Sequence, residues 1–309
     1  MATSVLVLGA GAIGAFYGGI LARAGCSVSV VARSDYDAVS RDGYRIDSMH
    51  GDLSFRPTQV LRDASEWRGE ADYVFVALKQ VRGVDRAALI RPYVSPKSAI
   101  VLVQNGIDVE PEVAQAFPSN AFISGVAYSA VSRLAPGVVK HHSQYTRLVL
   151  GSFPSGTSEA VARLAELITA GGSNGVATDD IVGARWAKCA WNTVFNPVSA
   201  LGGGLATHDI LGSDETKAWV RAAIAEVCAI AAADGHALPA DTPDKQIAGT
   251  LRMTNYVSSM GQDLLAGRPM EIEALLGNAV RIARRHGVAV PKLESLYVLL
   301  LMLEQKGVH

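Results

Sequence analysis

The chain has 309 residues, enough for about two domains with a core in each. Apolar residues make up 49% and charged residues 18%, which excludes a disordered chain, and 30 glycines without a triplet period exclude collagen. Lys plus Arg (28) against Asp plus Glu (29) leaves a net charge of −1, so no global field recruits nucleic acid or an anionic membrane, and any bound anion must meet a local site.

From Met1 to Ala22 no charged residue occurs, a pattern superficially like a signal peptide or membrane span. No basic segment precedes it, and Gly9, Gly11, Gly14, Gly18 and Gly19 interrupt it, so it reads as a buried strand, turn and helix. Ser4 to Leu8 is the strand and Ala15 to Ala24 the helix, ended by Gly25. Ser27 to Val31 is a second strand, completing a βαβ unit. Further β-like runs follow at Tyr73 to Leu78, Ala99 to Val103, Ala121 to Ser124, Gly137 to Lys140 and Arg147 to Leu150. Strands alternating with helical segments imply an α/β domain on a mainly parallel, doubly wound sheet of Rossmann type.

After about residue 178 the periodicity turns helical, at Gly183 to Asn196, Ser213 to Asp234, Thr250 to Leu265 and Met270 to His286. An α/β domain over residues 1–178 followed by an all-α domain over 179–309 is the expected organisation. The apolar run Leu296 to Leu303 is too short for a bilayer. Its Val298 to Leu303 part reads as the buried face of a terminal helix or as a subunit contact in a homodimer. Cys26, Cys189 and Cys228 are odd in number and form no CxxC pair, for which a reducing cytoplasm is the simplest home. His141 and His142 point to opposite faces of an extended segment without a carboxylate cluster, so they read as structural, and no metal site is expected.

Gly9-Ala10-Gly11-Ala12-Ile13-Gly14 satisfies GxGxxG between a predicted strand and a predicted helix, the context in which the pattern signals a dinucleotide. The first glycine permits the turn, the second admits the pyrophosphate, the third lets helix pack on strand, and the helix N-terminus offers free N–H groups. At the end of the second strand, where an NAD site has Asp or Glu for the ribose hydroxyls, the chain reads Val31-Ala32-Arg33-Ser34. Arg33 cannot accept from a ribose but can grip a 2′-phosphate, which favours NADP. The competing readings are a solvated arginine and a ribose contact through Asp35 or Asp37.

Lys188, Asn192 and Asn196 are spaced by four along one face of an otherwise apolar helix, so a polar ligand or internal hydrogen bonds must satisfy them. Pro197 disfavours α geometry at Asn196 and predicts that the helix ends or kinks there.

These pieces together resemble the ketopantoate reductase (2-dehydropantoate 2-reductase) family over essentially the full length. The resemblance is carried by GAGAIG, Arg33, VALK ending at Lys79, QNG at Gln104 to Gly106, PGVV at Pro136 to Val139, and RWAKCAWNTVFNPVSAL from Arg185. SSMGQDLLAGRPMEIE from Ser258 and HGVAVP at His286 to Pro291 complete it. It implies NADPH-dependent reduction of ketopantoate to pantoate for pantothenate synthesis, with the helical domain completing the substrate site. Lys188 matches the family's catalytic lysine, and Asn192 and Asn196 match its substrate-binding asparagines. The cofactor contacts fall on the glycine turn, Arg33, Lys79, Asn105, the backbone of Val131, and Glu271. Ser259, with Ser258 beside it, and Asn105 fall on the substrate.

Ketone reduction needs a proton for the forming alkoxide, which Lys188 would supply, with Asn192 aligning the carbonyl or hydroxyl and Glu271 holding the lysine or cofactor. Glu271 also reads as a carboxylate at a helix N-terminus after Pro269, and the serines as caps. Tyr256 and the run Gly202 to Gly204 stand where the family carries asparagines, which leaves room for a different branched 2-oxo acid. A non-catalytic NADP-binding redox sensor is the reading from another class, and it gives no role to Lys188.

Overall fold

The computed structural model describes residues 2–306. Their contacts divide into two compact units. The first runs to Lys79 and adds Asp85–Gln104 and Glu110–Ile181, and the second joins Gln80–Val84 and Asn105–Val109 to the chain from Val182 onward. A single cut after residue 178 does not describe this division, because two loops that follow strands of the first half pack with the second.

The first unit contains the strands β1 (Ser4–Leu8), β2 (Ser27–Val31), β3 (Tyr44–Ser48), β4 (Leu53–Phe55), β5 (Gln59–Leu61), β6 (Tyr73–Val76) and β7 (Ala99–Leu102). It continues with β8 (Phe122–Tyr128), β9 (Val131–Ala135), β10 (Val138–His141), β11 (Arg147–Ser152) and β12 (Asn174–Ala177). Its helices are α1 (Ala12–Arg23), α2 (Tyr36–Asp42), α3 (Arg86–Ile90), α4 (Pro111–Ala116) and α5 (Glu159–Ala170). The main sheet has the order β12-β11-β8-β7-β6-β1-β2-β5. The six strands from β8 to β5 are mutually parallel, which is the Rossmann order, and β11 joins them antiparallel to β8. Val5, Val7, Val28, Val30, Phe75 and Val101 bury one face of this sheet against Ala15, Phe16, Tyr17 and Ile20 of α1.

The expected strand at Gly137 to Lys140 belongs elsewhere. It is β10 of a second, four-stranded sheet, β4-β3-β10-β9, whose strands are short and half polar and therefore left little apolar signal.

The second unit is built from α6 (Ile181–Leu201), α7 (Thr207–Ile210), α8 (Asp214–Ala233), α9 (Thr242–Arg252), α10 (Ser259–Leu265), α11 (Asn278–His286) and α12 (Pro291–Gln305). Its only β pairing among the described residues is an isolated bridge between Ala206 and Val257. Trp186, Cys189, Ala190, Val194 and Phe195 of α6 form its core with Ile224 and Val227 of α8 and Leu293, Leu296 and Leu300 of α12. The Glu226 carboxylate caps α12 by accepting from Lys292 N and Leu293 N.

Two helical expectations are corrected. Helix α6 neither ends nor breaks at Pro197 but runs one further turn to Leu201, because Val194, Phe195 and Ala200 on both sides of the proline are buried in the core. The stretch Thr250 to Leu265 is two helices. α9 stops at Arg252, and Ser258 starts α10 by capping Gly261 N. Ahead of α11 the backbone takes a π turn at Glu273–Gly277.

Candidate active site

The three glycines of the turn differ in what surrounds them. A Cβ on Gly9, whose φ is +83°, would lie 2.8 Å from the Ala77 carbonyl, and one on Gly14 would lie 2.4 Å from the Gly9 carbonyl oxygen. Both are therefore required by packing. A Cβ on Gly11 would meet no heavy atom within 4 Å, so packing does not require a glycine at this position. Gly11 is also the N-cap of α1, where it supplies no side-chain cap, and the first turn of α1 carries no acidic residue. Its unpaired N–H groups and positive dipole end face an open approach at the carboxyl end of β1, where an anion is stabilised. The Gln104 side chain donates to the Leu78 carbonyl and accepts from Arg86 Nη1 at 2.6 Å, which holds the segment that packs on Gly9.

Two residues beyond β2, Arg33 is exposed and makes no hydrogen bond or ion pair among the described residues. The carboxylates that could compete for a ribose are both engaged. Asp35 is buried and takes a two-pronged contact from Arg133, through Nε at 2.9 Å and through Nη2, plus hydrogen bonds from Gly137 N at 3.1 Å and Ser34 Oγ at 2.8 Å. Burial pushes the Asp35 carboxyl up, but the bonds from Arg133, Gly137 and Ser34 outweigh it and leave it below its ordinary value. Asp37 pairs with Arg62 at 2.9 Å, and Arg62 lies over the Tyr36 ring. Arg33 is therefore the charge at this strand end that no described residue engages.

In the second unit, Lys188 Nζ donates to Asn105 Oδ1 at 2.6 Å. Burial, with the Arg185 guanidinium adding to it, lowers the lysine to about 8, against the opposite pulls of Cys189 and Glu271. Glu271 Oε1 accepts from Gln80 N at 2.9 Å, and the Gln80 side-chain oxygen is buried without a hydrogen-bond partner among the described residues. One turn after Lys188, Asn192 is only 7% exposed, yet its amide makes no hydrogen bond among the described residues. Its amide atoms are not fully buried, so they stay open to a ligand.

The remaining expected positions divide. Asn196 Oδ1 accepts from Ser259 Oγ at 3.1 Å and Met260 N at 3.2 Å, which ties α6 to α10. Ser258 is fully buried and spent as the α10 cap. Lys79 is exposed after β6, and Val131 opens β9. His141 is buried, its Nδ1 against Ser48 Oγ and its Nε2 against the Tyr145 carbonyl. No cluster of three metal-ligating side chains occurs among the described residues, and no described helix is long and apolar enough to cross a membrane.

Comparison with known proteins gives the kinship. The family model for ketopantoate reductase PanE/ApbA matches residues 5–155, and the model for its C-terminal domain matches residues 180–304. The chain belongs to the ketopantoate reductase family. It is similar to the crystal structure of 2-dehydropantoate 2-reductase from Methylococcus capsulatus, at 50% identity and a TM-score of 0.92 over 98% of this chain and 97% of that one. It is also similar to the 2-dehydropantoate 2-reductases of Mesorhizobium japonicum, 32% identical over 96% of both chains, and of Nostoc sp., 29% identical over 97% of this chain and 95% of that protein. As a family member it is an NAD(P)-dependent oxidoreductase.

Three features of this ketopantoate reductase family member were not foreseen from its sequence. The grip of Arg133 on Asp35 joins residues 98 positions apart and has no local signature. Gln80 is a polar loop residue like many others. Arg185 did carry a signal, because it stands three residues before Lys188 and so on the same face of α6. At the family's asparagine position, Tyr256 stacks on Trp191 with the rings 8° from parallel, and Trp191 stacks on Phe195 at 4.7 Å.

Proposed function

We propose that this protein reduces ketopantoate to pantoate with NADPH, a step of pantothenate synthesis. The observation that carries the reading is the unpartnered Asn192 amide, on a residue only 7% exposed, one turn from a lysine whose ammonium is held by Asn105 and lowered to about 8. A group that must donate a proton near neutral pH works best with such a value.

NADP(H) is the cofactor the first unit fits. The bare Gly11 and the uncapped start of α1 would take the pyrophosphate, and Arg33 the 2′-phosphate, while the engagement of Asp35 by Arg133 removes the acidic ribose acceptor an NAD site uses. Lys79, Asn105, the Val131 backbone and Glu271 complete the proposed cofactor contacts. When bound, the dinucleotide supplies the hydride that the carbonyl carbon accepts.

Every other step falls to side chains. Lys188 Nζ places a proton at the carbonyl oxygen as negative charge develops there and is left as a neutral amine, which still donates to Asn105 Oδ1. Asn192 would bind the substrate carbonyl or hydroxyl, with Asn196 and Ser259 at the next turn, and Glu271 holds negative charge near the lysine and anchors Gln80. Ser258 is left out, since its hydroxyl is buried in the cap.

The aromatic layer of Phe195, Trp191 and Tyr256 favours a second reading, reduction of another branched 2-oxo acid, because Tyr256 brings a ring where the family brings an amide. A panel of 2-oxo acids assayed with NADPH and with NADH separates the two. Ketopantoate with NADPH should give the highest kcat/KM, and a better branched substrate would transfer the reading to that acid. Three free thiols support a cytoplasmic setting, and the exposed Val298, Leu299 and Met302 on α12 support self-association, which light scattering would test.

A further inference from the structure

Arg185 lies three residues before Lys188 on α6 and is 2% exposed, with Nη1 donating to the Gly106 carbonyl at 3.1 Å. Gly106 follows Asn105, the residue that accepts from the Lys188 ammonium. Its φ is +100°, and a Cβ there would lie 2.1 Å from the Ala274 carbonyl oxygen. The same Ala274 carbonyl accepts from Ile107 N at 3.2 Å, and Asn278 Nδ2 donates to the Ile107 carbonyl at 2.7 Å. The turn that carries Asn105 is thus gripped by α6, by the π turn and by α11. Arg185 brings a buried charge to this hold, and burying a guanidinium is costly where an apolar side chain of similar volume would pack without penalty.

We propose that Arg185 is a positioning residue for proton transfer: its guanidinium fixes the Gly106 turn, and with it the Asn105 amide that orients the Lys188 ammonium. The proposal rests on the reading of Lys188 as the proton donor. A second effect follows from the charge itself, because a fixed cation one turn away opposes the lysine's own charge and adds to the effect of burial in lowering it to about 8. The other charged groups near the lysine and on the neighbouring segments are accounted for. Glu271 and Cys189 act in the opposite direction, while Asp108 pairs with Arg285 and Glu273 with Arg281.

The test compares Arg185→Met, which removes the cation, with Arg185→Lys, which keeps it but loses the planar donor fork. The readouts are kcat, KM for ketopantoate, the NADPH Kd and the pH profile of kcat/KM. Arg185→Met should lose about tenfold or more in kcat with the NADPH Kd raised no more than in Asn105→Ala, and the basic limb of its profile should move to higher pH. Arg185→Lys should keep the wild-type limb and recover part of the rate. If Arg185 acts through Asn105, adding Arg185→Lys to Asn105→Ala should cost nothing further, and this cycle decides the matter even if Arg185→Met does not fold. Multiplicative losses in the cycle, or an unmoved limb in a folded Arg185→Met, overturn the proposal. Lys188→Ala separates the two levels: a wild-type rate there removes the reading beneath, whereas a slow Lys188→Ala with multiplicative losses in the cycle removes the inference alone.

Discussion

Lys188 Nζ stands 2.6 Å from Asn105 Oδ1, although the two residues are 83 positions apart in the chain. The contact exists because the Asn105–Val109 segment packs with the helical unit. It gives the ammonium a fixed acceptor and so a fixed orientation.

A first prediction concerns pH. Lys188 is lowered to about 8, chiefly by burial and next by Arg185, so the ammonium is the main form below that pH and is lost as pH rises through it. Reduction should have a constant kcat/KM below about 8 and fall above it. Oxidation of the hydroxy acid, which needs the neutral amine, should show the opposite limb. Profiles of both directions at saturating cofactor check this. A reduction rate that is flat to pH 10 would mean that Lys188 is not the acid.

Asn192→Ala should lower kcat/KM by about 10- to 100-fold, the worth of a directional hydrogen bond lost with its partner left unpaired. Its melting temperature should hardly change, since the amide bonds to nothing among the described residues. Unaltered kinetics with a lower melting temperature would make Asn192 a packing residue.

The glycine turn allows stability and binding to be separated. Gly11→Ala should fold with near wild-type stability, because its methyl meets no atom, and yet bind NADPH far more weakly, because it fills the approach to the start of α1. Gly14→Ala should unfold at much lower urea, since its methyl would lie 2.4 Å from the Gly9 carbonyl oxygen. Urea titrations beside fluorescence titrations with NADPH distinguish the two outcomes, and a Gly11→Ala protein that binds NADPH normally would contradict the assignment.

Cofactor choice follows from the ends of β2 and β9. Arg33→Ala should weaken NADPH binding by about 10- to 100-fold, the worth of a charge-assisted hydrogen bond of about 1.5 to 3 kcal/mol, and leave NADH unchanged. Arg133→Ala should improve NADH binding, because Asp35 is then free to accept from the ribose hydroxyls, and adding Asp35→Asn should abolish that gain. Equal effects on both cofactors would give Arg33 and Arg133 a purely structural role.

What could be read in the sequence was what is local. The GxGxxG turn, the strand before it and the helix after it lie within twenty residues, and the face of α6 that holds Lys188 and Asn192 follows from the helical period. The second sheet escaped because β3, β4 and β9 mix polar with apolar residues and are only three to five residues long. The contacts that tune the site escaped for another reason. Arg133 with Asp35, Asn105 with Lys188 and Gln80 with Glu271 are separated by 98, 83 and 191 positions, and only the folded topology brings them together. The helix continues past Pro197 because the local preference of the residue before it is outweighed by the core on both sides.

The central claim, a lysine acid serving an NADPH-dependent 2-oxo acid reduction, is tested most directly by the rate of NADPH oxidation with ketopantoate in the wild type and in Lys188→Ala. The account predicts saturable turnover in the wild type and a fall of about 10²- to 10⁴-fold in the variant, with NADPH binding retained. No turnover of ketopantoate or any branched 2-oxo acid by the wild type, or a Lys188→Ala enzyme that matches it, would contradict the account.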